Sequence, residues 1–223
     1  MSILYRIEED IKEFLNKELK EEGKAFLNEW DFQMSLSLFL THIKGYKIHL
    51  EYVVPLSFLT KREYPFANKE NINIDIVIEK EGFFYLIELK YKTQRATIKF
   101  ERFGEINCVS LKDQSRIPMS KYDFWKDVAR LEFLKESFEK VKGGLCIFLT
   151  NNETYTKGDK GISEEFTMEA QKSHIGTLTL KDGKTKKKCP EFSLSKDYQI
   201  EKWNKVANEE TKIAFHYCIV RVD

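Results

Sequence analysis

Ile3, Ile7, Ile11, Phe14, Leu15 and Leu19 recur every three or four residues, a period that predicts an amphipathic helix over 2–22, stopped near Gly23. Phe32, Leu36, Phe39, Leu40 and Ile43 repeat that period over 29–43, ahead of Gly45. The rhythm then changes. Residues 46–56, "YKIHLEYVVPL", alternate and are β-branched, as a strand requires, and 72–79 and 83–92 predict two more strands about a glycine. Phe124, Val128, Leu131, Leu134 and Phe138 restore the helical stripe over 121–141. "GGLCIFLT" (143–150) is apolar without alternation, the pattern of a strand buried on both faces. A helix of crossover length joins 83–92 to 143–150, which predicts a parallel pair with a right-handed connection. Strands at 174–182, 191–200 and 212–222 complete the chain around a lysine-rich turn, "KDGKTKKK".

Charges break the apolar pattern at particular points in "NINIDIVIEKEGFFYLIELKYKT" (71–93). If Glu81-Gly82 is a two-residue loop with glycine at positive φ, pairing runs inward from Lys80–Phe83 and brings Asp75 opposite Glu88. Lys90 shares the face of Glu88, because strand side chains repeat with period two. A four-residue loop gives the same pairing, and a three-residue loop splits the trio between faces. Two facing carboxylates repel unless a cation lies between them, and Mg²⁺, or Mn²⁺ in its place, takes carboxylate and carbonyl oxygens. The expected ligands are Asp75, Glu88 and the Leu89 carbonyl. Lys90 is placed to orient or deprotonate a water, or to neutralise charge on phosphorus. Glu-x-Lys alone ordinarily marks a solvated strand face; Asp75 at the matching position is what points to chemistry. A buried structural ion-pair network is the competing reading.

Composition adds limits rather than direction. The chain has 223 residues, 42% apolar and 33% charged, with net charge +1, so it is long enough for one domain with a real core, and global charge predicts no polyanion partner. Charge is nonetheless lopsided. Lys90 to Lys121 holds eight bases against three acids, and Lys181 to Lys188 five lysines against one aspartate. Lys92, Arg95, Lys99 and Arg102, with Lys184, Lys186 and Lys187, are therefore candidate contacts to nucleic-acid phosphates, or else solvated loops. Cys108, Cys146, Cys189 and Cys218 lack paired spacing, which suits reduced thiols in a cytoplasm. No apolar run is long enough for a membrane helix, and the N-terminus turns acidic too early for a signal peptide.

"NINID", ending in Asp75, followed by "LIELK", carrying Glu88-Leu89-Lys90, resembles the PD-(D/E)xK nuclease superfamily. Ile74 stands where its proline would be, and proline is not a ligand. The resemblance covers about 120 residues. It implies an α/β fold with a restriction-endonuclease-like α-β-β-β-α-β core over 29–150, a mixed central sheet flanked by helices. The N-terminal helix (1–28) and a β-rich C-terminal appendage (151–223) complete a single domain. A glutamate on the first core helix, matched by Glu29, is implied near the metal, with Gln33 one turn on and Glu51 a rival for that auxiliary role. Glu29 is equally suited to favouring a helix N-terminus. The second core helix implies Gln114, Tyr122, Asp123, Asp127 and Arg130 as polar neighbours of the site, although each is an ordinary helix-surface residue type.

No HExxH, G-x-S-x-G, P-loop or dinucleotide fingerprint occurs. Trp30, Trp125 and Trp203 suit packing and base stacking equally. The expectation is a Mg²⁺-dependent endo- or exonuclease acting on DNA, with RNA and a homodimer left open. Its rivals are a catalytically silent nucleic-acid-binding or complex-assembling relative and a structural protein.

Overall fold

The structure is a computed structural model and describes residues 2–59, 64–66, 70–114, 116–158, 161–181, 189–207, 209 and 213–223. Helix α1 (Ile3–Asn16) begins where the Ser2 hydroxyl accepts from the Tyr5 N–H, and it buries Leu4, Ile7, Ile11, Phe14 and Leu15. Its continuation over Lys17–Glu21 is a π-helical turn. Helix α2 (Glu29–His42) is capped by Asn28, whose side chain accepts from the Asp31 N–H. Both helices lie against one face of a mixed sheet through a core of Phe14, Phe26, Phe32, Leu36, Ile76, Ile87 and Leu89.

That sheet runs β1–β2–β3–β6–β10–β9: β1 (Lys47–Pro55), β2 (Asn71–Lys80), β3 (Phe83–Lys92), β6 (Val141–Thr150), β9 (Asn204–Ala207) and β10 (Ala214–Val222). Only β3 and β6 pair in parallel, and α3 (Ile117–Ser137) spans the connection between them. Residues 143–150 are buried throughout, as their unalternated sequence predicts. Gly144 lets the layers close: a Cβ there would meet the Leu86 carbonyl oxygen at 2.9 Å and a Leu131 methyl at 2.7 Å. On this second face α3 packs Phe124, Trp125, Val128 and Leu131 against Leu86, Cys146, Phe148 and Val220. A separate hairpin, β7 (His174–Leu178) with β8 (Phe192–Tyr198), covers the outer side of α3.

Three departures bear on function. Residues 93–116 form no plain connection: β4 (Ala96–Arg102) and β5 (Glu105–Leu111) pair as a hairpin turning at Phe103-Gly104, both at positive φ. Helix α3 begins at Ile117 rather than 121, since Pro118 is well placed in a first turn. Within the β-rich C-terminal third, β10 enters the central sheet beside β6 while β7–β8 stands apart. Among the described residues no helix is long and apolar enough to cross a membrane.

Candidate functional site

The β2–β3 turn forms as the sequence predicts, with Glu81 and Gly82 at φ 55° and 77° and pairing from Lys80–Phe83 to Ile76–Ile87. The next pair, Asp75 with Glu88, does not form. The cause lies in a change of side shared by β1 and β2. Ile78 and Ile76 pack under α1 and α2, yet Ile74 and Ile72 pack under α3. Strict alternation would keep all four on one face. Opposite them Ile48 belongs to the first core and Val54 to the second, and Glu51 between them sits at φ 47°. The β1–β2 register skips only the Glu51–Asp75 position and resumes at Tyr52–Ile74.

Beyond this switch β2 no longer covers the edge of β3, and side chains bond its amides instead. Asp75 Oδ2 accepts from the Leu89 N–H at 2.7 Å, and Glu29 Oε2 accepts from the Tyr91 N–H at 2.7 Å. Buried Gln33 bridges the skipped position, donating to Glu51 Oε1 at 2.8 Å and to the Asp75 carbonyl at 2.7 Å. Glu29, Trp30, Gln33, Glu51, Asp75 and Leu89 thereby line a cleft of about 220 Å³. Glu29 is a first-turn acid of α2, as the helix-terminus reading expects, and it also lines this cleft.

Glu88 and Lys90 share the α3 face, as period two requires, but Glu88 is only 2% exposed and does not line that cleft. Arg130 Nη2 lies 2.7 Å from Glu88 Oε2 and 2.7 Å from Asp127 Oδ1. Lys90 Nζ lies 2.5 Å from Asp127 Oδ2 and 3.3 Å from the Leu89 carbonyl oxygen. Burial pushes the Glu88 carboxyl well above its ordinary range, against the pull of Arg130 and with the help of Asp127 and Asp75. Burial also raises Asp75, opposed by the Leu89 N–H and by Lys90. Burial alone would lower Lys90, but Asp127, Glu88 and Glu29 outweigh it and hold the ammonium above the usual lysine value. Lys90 is therefore a fixed cation and is unsuited to act as a base.

Of the other candidates, Lys92 Nζ lies 3.6 Å from Glu29 Oε2 at the cleft wall. Arg95, just before the β4–β5 hairpin, and Lys99, midway along β4, are exposed. The Arg102 side chain and Lys184, Lys186 and Lys187 lie outside the described residues. Gln114 is exposed, its N–H donating to the Thr93 carbonyl. Tyr122 is not at the site: it is buried beneath β8, donates to the Pro190 carbonyl at 2.8 Å and packs on Phe166 and Phe192. Asp123 pairs with Lys126 on the helix surface. Tyr64, which the sequence did not single out, approaches Arg130, and its hydroxyl is pushed up to about 12, chiefly by burial. A larger apolar hollow of about 320 Å³, lined by Tyr52, Phe58, Leu86 and Phe138, holds none of the paired carboxylates.

Among the described residues no three His, Cys, Asp or Glu side chains are gathered to hold a metal ion. The donors nonetheless suit a hard cation. Glu88 Oε1 is buried with no hydrogen-bond partner among the described residues. Asp75, Glu29 and Glu51 line the cleft with Lys92 beside them, while on the α3 face Glu88 and Asp127 are paired with Arg130 and Lys90, and Lys126 also draws on Asp127. Comparison with protein-family models, curated proteins and solved structures finds no match.

Proposed function

We propose that this protein is a metal-dependent phosphodiesterase of nucleic acid, with DNA as its substrate class, built on a restriction-endonuclease-like core. The observation that carries the reading is the edge of β3, where the Asp75 carboxylate binds the Leu89 N–H in the cleft and, on the α3 face, buried Glu88 keeps Oε1 without a hydrogen-bond partner among the described residues. The order α2–β1–β2–β3–α3–β6, with the β4–β5 hairpin inserted between β3 and α3, supports the same core. Asp75, Glu88 and the Leu89 carbonyl would hold Mg²⁺ or Mn²⁺, which when bound supplies an activated water and countercharge for a phosphate. Arg130 holds one Glu88 oxygen and leaves the other available. Asp127 keeps Lys90 protonated, which suits it to stabilise charge developing on phosphorus. Lys92, Arg95 and Lys99 would meet backbone phosphates and so position the strand without reading its sequence.

A catalytically silent relative that binds nucleic acid is the second reading, favoured by the burial of Glu88 against Arg130. One experiment divides them. Purified protein is incubated with plasmid, single-stranded DNA and RNA in Mg²⁺, Mn²⁺ or EDTA, and metal binding is titrated calorimetrically. The expected result is metal-dependent cleavage, reduced at least about 100-fold in Asp75→Asn and in Lys90→Ala. Unchanged activity in either variant overturns the assignment. Nucleic-acid binding with neither cleavage nor metal uptake supports the silent relative.

A further inference from the structure

The three tryptophans have different surroundings. Trp125 is fully buried and stacks on His174 with ring centroids 3.8 Å apart. The Trp203 indole N–H donates to the Met168 carbonyl at 2.7 Å. Trp30 is 63% exposed in the first turn of α2, and it lines the same cleft as Asp75, Glu29 and Gln33. Exposure of so large an apolar ring is costly at about 25 cal/mol per Å², so it favours a partner that covers it. The cleft restricts what that partner can be. Three of its six lining residues are carboxylates, Glu29, Glu51 and Asp75, which repel any anionic group not carried by a cation, and its volume of about 220 Å³ lies below the roughly 300 Å³ of an ordinary small-molecule pocket. An unpaired base meets both conditions, since it offers a neutral π-face to the indole, and its phosphate would be accommodated only beside the cation proposed above. A base inside a duplex has both faces already covered and cannot stack on Trp30 without leaving its neighbours.

We infer that Trp30 is a stacking platform for one unpaired base beside the reacting phosphate, and that the substrate is single-stranded nucleic acid or the frayed or flap end of a duplex. This rests on the nuclease reading for its phosphate but not for its stack. The test is accordingly made on binding alone, in Asp75→Asn protein, with a 12-nucleotide oligothymidylate and the corresponding blunt duplex. Trp30 is the one largely exposed tryptophan among the described residues, so single strand is expected to quench intrinsic fluorescence, and Trp30→Phe is expected to lose the quench while keeping most of the affinity. Trp30→Ala is expected to weaken single-strand binding roughly 10- to 100-fold, the range for one base on an aromatic ring, and to change duplex binding little. Quenching that persists in Trp30→Phe, single-strand affinity unchanged in Trp30→Ala, duplex bound as tightly as single strand, or no oligonucleotide binding at all would each overturn the inference. Quenching and the Trp30→Ala loss, alongside unmodified protein that never cleaves, would keep the stack and discard only the nuclease reading.

Discussion

Glu88 and Glu132 are both buried carboxylates at α3, exposed to 2% and 6%, and the fold treats them in opposite ways. Glu132 is completely served. Its Oε1 accepts from the Ser195 hydroxyl at 2.9 Å, the Lys196 N–H at 3.1 Å and the Tyr198 hydroxyl at 3.0 Å, and its Oε2 accepts from the Ser195 N–H at 2.9 Å. It pegs β8 to α3. Glu88 has Arg130 on one oxygen and nothing among the described residues on the other, and its charge is further opposed by Asp127 and Asp75. Burial is common to both carboxylates; the unmet acceptor is what separates Glu88 from Glu132.

The largest expected effect is structural. Glu132→Ala leaves two amides and the Tyr198 hydroxyl without this acceptor, and the Ser195 hydroxyl with Glu136 alone, and is expected to cost about 3–4 kcal/mol, read as a lower urea midpoint. Calorimetric Mg²⁺ affinity should be unchanged wherever the variant is folded. A small stability loss would mean that β8 is held elsewhere. Glu88→Gln sharpens the contrast from the other side. It relieves a carboxylate that burial already penalises, so stability should move by less than about 1 kcal/mol, while Mg²⁺ affinity should fall on the order of 100-fold or more. The comparison breaks if Glu88→Gln unfolds the protein as Glu132→Ala does, because Glu88 would then be a structural pair with Arg130.

Most of the helices and strands that build the sheet were legible because their periods are strong: α2, β1, β2, β3 and β6 fall within a residue or two of their predicted ends, and the parallel β3–β6 pair follows from connection length. The turn at Glu81-Gly82 was legible because its local chemistry fixes the register. What could not be read was the change of side at Glu51 and Asp75. Two strands switch together there, so the register is conserved while the facing inverts, and period two carries no trace of it. That switch, with Gln33 bridging it, moved Asp75 to the edge of β3 instead of opposite Glu88. Asp127 and Arg130 sit at i and i+3 on α3, a spacing readable in the sequence, but only the approach of α3 to β3 selects them over Asp123. Glu132 gave no signal, since its three partner residues, Ser195, Lys196 and Tyr198, lie more than 60 residues away.

The smallest expected effect concerns His174, in the core that α3 shares with β7 and β8. Its ring is stacked on Trp125 and 3% exposed, with Nδ1 3.0 Å from the Lys172 carbonyl oxygen. Burial lowers its pKa, partly offset by backbone hydrogen bonding. The unfolded chain therefore takes up this proton first as the medium is acidified. The corresponding stability is complete above an ordinary histidine pKa of about 6.5 and is lost as pH falls below it toward the folded value. One proton limits the slope to about 1.4 kcal/mol per pH unit. His174→Phe keeps an aromatic ring on Trp125 and removes the proton site. Between pH 8 and 5 its urea midpoint should fall less steeply than that of the unmodified protein, with His216, also lowered by burial, contributing equally to both. Equal slopes would show that His174 is protonated as readily folded as unfolded. Mg²⁺ affinity at pH 8 should be the same in both proteins, because the unmet oxygens described in this core are the neutral hydroxyls of Tyr155 and Thr179, whereas that of Glu88 belongs to a carboxylate.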